Sequence, residues 1–92
     1  MAKIVATIKI MPESPDTDLS SIEKKAREKI KFFSGNEEIK SRQEPIAFGL
    51  KALNITFVMD ESKGSPDPLE EQLRSIEGVN SAETVDVRRA IG

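Results

Sequence analysis

Residues 3–33 read KIVATIKIMPESPDTDLSSIEKKAREKIKFF, and within them the spacing of apolar side chains changes once. In residues 3–10, Ile4, Ala6, Ile8 and Ile10 alternate with Val5, Thr7 and Lys9, the period of two that turns one side of a strand to a core. From Leu19 the interval lengthens. Leu19, Ile22, Ala26, Ile30 and Phe33 share one face of a helix, and Lys24, Lys25, Arg27, Glu28 and Lys31 fill the others. Between the two, Pro12, Ser14, Pro15 and Asp16 punctuate the chain, and Asp16 or Asp18 stands where it caps a helix over about residues 18–32.

Reading outward, Ser34-Gly35-Asn36 ends that helix, and residues 37–44, EEIKSRQE, form a polar edge strand whose charges discourage edge-to-edge pairing. A tight apolar turn, PIAFG at 45–49, leads into LKALNITFVM at 50–59. There Leu53, Ile55, Phe57 and Met59 lie on one face, as in a central strand. After a polar connection over 60–67, Asp67-Pro68-Leu69-Glu70 reads as N-cap, first-turn proline and capping acid. The second helix turns Leu69, Leu73 and Ile76 inward and stops at Gly78. A last strand over 82–88 puts Val85 and Val87 on one face and Thr84, Asp86 and Arg88 on the other, leaving residues 88–92 as a short tail. Strand, helix, strand, strand, helix, strand is the order of an α+β, ferredoxin-like βαββαβ sandwich, with four antiparallel strands and both helices on one face.

The 92 residues, 37% hydrophobic and 33% charged, form a single domain over 1–92 with one modest core. Fourteen basic against sixteen acidic side chains leave a charge of -2, which supplies no general attraction for nucleic acid or an anionic membrane. Without cysteine or histidine, thiol nucleophiles, disulfides and the commonest transition-metal and general-base groups are missing. No apolar run approaches the ~18 residues of a membrane span, and Met1-Ala2-Lys3 leads into no signal-like segment, so a cytoplasmic protein is expected. The open sheet face expected from the register exposes Thr7, Lys9, Asn54, Thr56, Thr84, Asp86 and Arg88, with no aromatic on which RNA bases would stack. The loop after the first strand, MPESPD, is acidic and proline-bearing, unlike a phosphate cradle. Glu13, Asp16 and Asp18 read as turn and capping residues, so no metal and no cofactor are expected.

Three features stand apart. Pro45-Ile46-Ala47-Phe48-Gly49-Leu50 is apolar where a reversal is ordinarily polar, and it either folds back on the core or docks another protein. Arg88 and Arg89 are adjacent, so one guanidinium follows the open face and the other points elsewhere, making a basic end in a chain of negative net charge. Glu44, beside Pro45, is a candidate buried or rim carboxylate, or a plainly solvent-exposed one.

VATIKIMPESPD at 5–16, EPIAFGLKALNI at 44–55, IEGV at 76–79 and DVRRAIG at 86–92 occur in an order that resembles the elongation factor 1-beta/delta guanine-nucleotide exchange domain family, in its archaeal elongation factor 1-beta branch. The resemblance implies a domain that binds the GTPase elongation factor 1-alpha and promotes GDP release in translation elongation, without catalytic residues of its own. It implies partner contacts at Pro45, Ile46, Phe48 and Gly49 of the matching turn; at the C-terminal end the expectation rests on the doublet itself, either Arg88 or Arg89 competing with the partner's magnesium or the tail displacing the partner's switch elements without a cation. In eukaryotic relatives a lysine next to the C-terminus reaches that site, whereas this chain ends Ile91-Gly92; an aromatic two residues before the turn proline is here Gln43. The free protein is expected to be a monomer. Two other readings of the topology are a small ligand-sensing regulatory domain that dimerises and an RNA-binding domain.

Overall fold

The alternation after Lys3 becomes a strand, β1 (Lys3–Pro12), with Ala6, Ile8 and Ile10 buried and Val5, Thr7 and Lys9 partly exposed, in a computed structural model that describes residues 3–35 and 38–90. Helix α1 (Leu19–Ser34) starts where Asp18 accepts the backbone N–H groups of Ser20 and Ser21, at 3.0 and 3.3 Å, and so satisfies donors of the first turn. It stops at Gly35, whose left-handed φ of 68° lets its N–H return to the Lys31 carbonyl at 2.8 Å. Ile22, Ala26 and Ile30 are the buried stripe the spacing predicts.

Three further strands complete the sheet: β2 (Ile39–Pro45), β3 (Lys51–Asp60) and β4 (Val79–Ala90). Their spatial order is β2-β3-β1-β4, antiparallel throughout. A second helix, α2 (Asp67–Arg74), packs Leu69 and Leu73 into the same core as α1, so the helices share one face of the sheet. Among the described residues this is the ferredoxin-like βαββαβ arrangement expected from the spacing. Phe57, Ile55, Leu53 and Met59 of β3, one of the two interior strands, lie fully buried in the core shared with the helices. No described helix is long and apolar enough to cross a membrane.

Three local expectations fail. The last strand is longer than 82–88, running from Val79 to Ala90, so Arg88 and Arg89 belong to the sheet and not to a tail; residues 91 and 92 lie outside the described residues. Helix α2 ends at Arg74, four residues before Gly78, and begins one residue early, with Pro66 at the N-cap position and Asp67 already helical. Glu70 closes no capping box: its carboxylate accepts the backbone N–H of Thr84 on β4 and pairs with Arg74 at 3.5 Å. Gly78 instead makes the corner into β4. Its φ is 93°, and a Cβ there would stand 2.9 Å from Thr17 Cγ2, so both conformation and space require glycine.

The third failure is the side-chain parity of β4. Ile8 pairs with Thr84 but Thr7 pairs with Asp86, so Val85 is an extra residue in the ladder, a β-bulge. Val85 therefore lies on the open face and Thr84 on the helix side, where its hydroxyl is buried without a partner among the described residues. Beyond the bulge Val87 faces the helix side opposite Ala6 yet is 54% exposed.

Candidate functional site

The turn between β2 and β3 is held by its backbone alone. Ile46 N–H donates to the Leu50 carbonyl at 2.7 Å, and Leu50 N–H returns to Ala47 at 3.3 Å. Closing so short a reversal takes two successive left-handed residues, Phe48 at φ 63° and Gly49 at φ 77°. Glycine adopts that conformation freely, but in a phenylalanine it costs roughly 1–2 kcal/mol. The Phe48 ring gains no burial in exchange: it is 93% exposed. Pro45 is also exposed, and Ile46 and Leu50 are half-buried. Of the two readings open for this segment, folding back on the core does not describe Phe48. Gly49 lies against the loop after β1, where a Cβ would meet Pro15 at 3.9 Å.

Arg88 and Arg89 lie at the other end of the sheet. Arg88 pairs with Val5 and so follows the open face, where its Nε meets Asp86 Oδ2 at 3.0 Å. Arg89 pairs with Ile4 and points to the opposite side, its Nη2 donating to both oxygens of Glu61 at 2.7 and 2.8 Å. The two guanidinium groups thus diverge as adjacent strand positions require. Glu61 holds the Arg89 guanidinium above its ordinary value, through the hydrogen bonds first and its charge second. Lys3 Nζ stands 3.8 Å from Asp60 at the same end. The basic end expected from the doublet is therefore matched, cation for acid, by Asp86, Glu61 and Asp60. The Asp60 carboxyl is held below the usual range, chiefly by the Ser62 backbone N–H at 2.9 Å, then by the Ser62 hydroxyl and the charge of Lys3.

The residues singled out by the sequence thus form two places. Pro45 pairs with Lys51, Arg88 with Val5 and Val5 with Val58, so seven residues of β3, roughly 23 Å, separate the turn from the arginines. Glu44 belongs to neither. It is a rim carboxylate on the open face, 3.9 Å from Lys9 Nζ and accepting from Asn54 Nδ2 at 3.4 Å. Glu61 escaped the sequence reading because it lies 28 residues from Arg89 in a polar connection. The bulge did leave a signal: Ala82 and Val87 share the inner face only if the ladder between them holds one extra residue. The described residues hold no group of three or more acids able to bind a metal ion.

The EF-1 guanine nucleotide exchange domain family matches residues 5–90. A protein of Methanothermobacter thermautotrophicus named elongation factor 1-beta is 49% identical over 89 residues, covering 97% of this chain and 98% of that one. A namesake from Methanobrevibacter smithii is 43% identical over the same shares of both chains. Among solved structures, the de novo designed protein Foldit4 superposes with a TM-score of 0.63 at 16% identity over 98% of each chain, a likeness of fold alone.

Proposed function

The chain belongs to the family of EF-1 guanine nucleotide exchange domains, and from that premise we propose that it promotes GDP release from elongation factor 1-alpha, so that GTP can bind during translation elongation. Such a factor carries out no covalent chemistry. It binds the nucleotide-free GTPase more tightly than the nucleotide-bound one, and linkage makes the weakening reciprocal. A thousandfold faster release requires about 4 kcal/mol of differential stabilisation, within reach of a few interface contacts. The partner supplies the nucleotide site, magnesium and phosphates; no enzyme activity, metal or cofactor is assigned to this chain. The protein acts in the cytoplasm and is monomeric when free.

The observation that carries the proposal inside the matched region is the Phe48 ring, presented to solvent on a strained backbone. That strain is retained if the ring serves a partner. Pro45, Ile46, Phe48 and Gly49 form the anchor, with Pro45 and Gly49 shaping the turn and the two side chains filling an apolar recess. Arg88 and Arg89 act at the far end, where one of them competes with the partner's magnesium for phosphate oxygens. Each must first exchange Asp86 or Glu61 for the partner. With roughly 23 Å between the two places, they engage separate parts of the GTPase surface.

The deciding measurement is the release of fluorescently labelled GDP from elongation factor 1-alpha, with and without this protein at stoichiometric concentration. Acceleration of a hundredfold or more is expected, and no acceleration would sink the proposal. Arg88→Ala and Arg89→Ala separate the contribution of the far end more cleanly than truncation, because removing residues 88–90 also strips β4 from Lys3–Val5.

A further inference from the structure

On the open side of the sheet the strands form a trough of about 560 Å3. Its floor carries the hydroxyl pair Thr7–Thr56, 2.9 Å apart, beside the Asn54 amide, and Val85 closes it on the β4 side. The charges along it are unequal: Lys9, Lys40 and Arg42 stand against Glu44 alone. Glu44 already answers Lys9. Lys3 and Arg88, elsewhere on the same face, are matched by Asp60 and Asp86. Lys40 and Arg42 are exposed and meet no carboxylate within 4.0 Å among the described residues. A protein of net charge -2 thus keeps two unanswered cations side by side in a concavity.

Their spacing narrows the choice of occupant. Lys40 and Arg42 lie opposite Thr56 and Asn54, on alternate positions of edge strand β2, so they project to the same side about 6.6 Å apart. An extended peptide repeats its same-side groups at that distance. We propose that the trough binds an extended acidic segment of a protein partner, with carboxylates on alternate residues facing Lys40 and Arg42. The hydroxyl pair has a second hydrogen to donate, since only one is used between Thr7 and Thr56, and Val85 gives an apolar wall. A polynucleotide suits the trough less well, because no aromatic lines it for bases to stack on. The proposal stands apart from the exchange reading, and its test uses no GTPase.

The test is a titration of the isotope-labelled full chain with the capped peptide Glu-Ser-Glu-Ser-Glu, followed by amide chemical shifts. Gln-Ser-Gln-Ser-Gln and a short oligouridylate serve as competing ligands. Binding in roughly the millimolar range is expected, as two exposed ion pairs give little affinity. Shifts should be confined to Thr7, Lys9, Lys40, Arg42, Asn54 and Thr56. Affinity should fall several-fold when salt rises from about 20 to about 200 mM, as the screening length shortens. The double variant Lys40→Glu, Arg42→Glu should abolish binding, and Lys40→Gln, Arg42→Gln should weaken it about tenfold. Both should melt within about 2 °C of the parent, since neither side chain is bonded to another among the described residues. Equal binding of the glutamine peptide, shifts elsewhere on the molecule, no shifts at all, or tighter binding of the oligouridylate on this face would each overturn the proposal.

Discussion

Phe48 combines a left-handed backbone with a ring that touches almost nothing in its own chain, so its substitution separates folding from function. Phe48→Gly removes the backbone cost while adding unfolded-state entropy. Thermal unfolding should show stability unchanged or raised by up to about 1 kcal/mol. If the ring is an anchor, the same variant loses about 2 kcal/mol of partner binding, a roughly 30-fold higher half-saturation in the GDP-release assay. A variant that loses both stability and exchange would mean that the ring packs at home. Asp60 provides a second residue-scale test. Its folded-state pKa is depressed below 3.8, so its contribution to stability is present above that value and disappears as pH falls through the lower, folded one. Asp60→Asn should therefore flatten the decline of melting temperature below pH ~4. The apolar character of the turn was legible in PIAFGL, but that composition alone left folding back on the core and docking a partner equally open. Asp86 and Arg88 already shared a face by their spacing, but Glu61 becomes the partner of Arg89 only through the fold.

Strand β4 shows how one element departs from its sequence pattern. Thr84 to Arg88 alternate without a flaw, yet the ladder holds an extra residue at Val85. The Glu70 carboxylate, reaching from α2 to the Thr84 N–H, fastens the strand beside that irregularity. Glu70→Ala should cost about 1–3 kcal/mol, the penalty for a hydrogen bond to a charged group, and should speed hydrogen exchange at the Thr84 amide. Glu70→Gln, which keeps an acceptor, should recover part of the loss. The same interaction explains why the sequence misreads the start of α2. Ser/Asp-x-x-Glu spacing looks like a capping box, but the acid is taken by a strand 14 residues away. Gly78 makes the opposite case, a glycine rightly picked out as special but assigned to a helix end that lies four residues earlier. Gly78→Ala meets both the strained φ and Thr17 Cγ2, and a loss of more than 1 kcal/mol is expected in denaturant unfolding.

For the molecule as a whole, the layer arrangement was readable because two apolar periods alternate along the chain and the interior strand β3 has its large side chains on one face. The relation between the two candidate contact places was not, because it depends on strand register: one lies beside Lys51 and the other on the row of Val58. Their separation predicts independence. Combining Phe48→Ala with Arg89→Ala should multiply the two single defects in half-saturation, with a coupling below about 0.5 kcal/mol in a double-mutant cycle. A larger coupling would mean that the ends communicate through the sheet or converge on one part of the partner.

β1 precedes the other described strands in the chain and lies between β3 and β4. Its pairing with β4 joins Lys3 to Ala90, the longest span among the described residues. A nascent chain that has emerged only as far as α2 therefore carries β1 with one side unpaired, and the high separation of these contacts makes their closure late and slow. While that flank is open, a second nascent copy presents the same groove and a competing β4 to fill it. Strand exchange between neighbouring chains on a polysome is thus the misfolding route to expect of this topology.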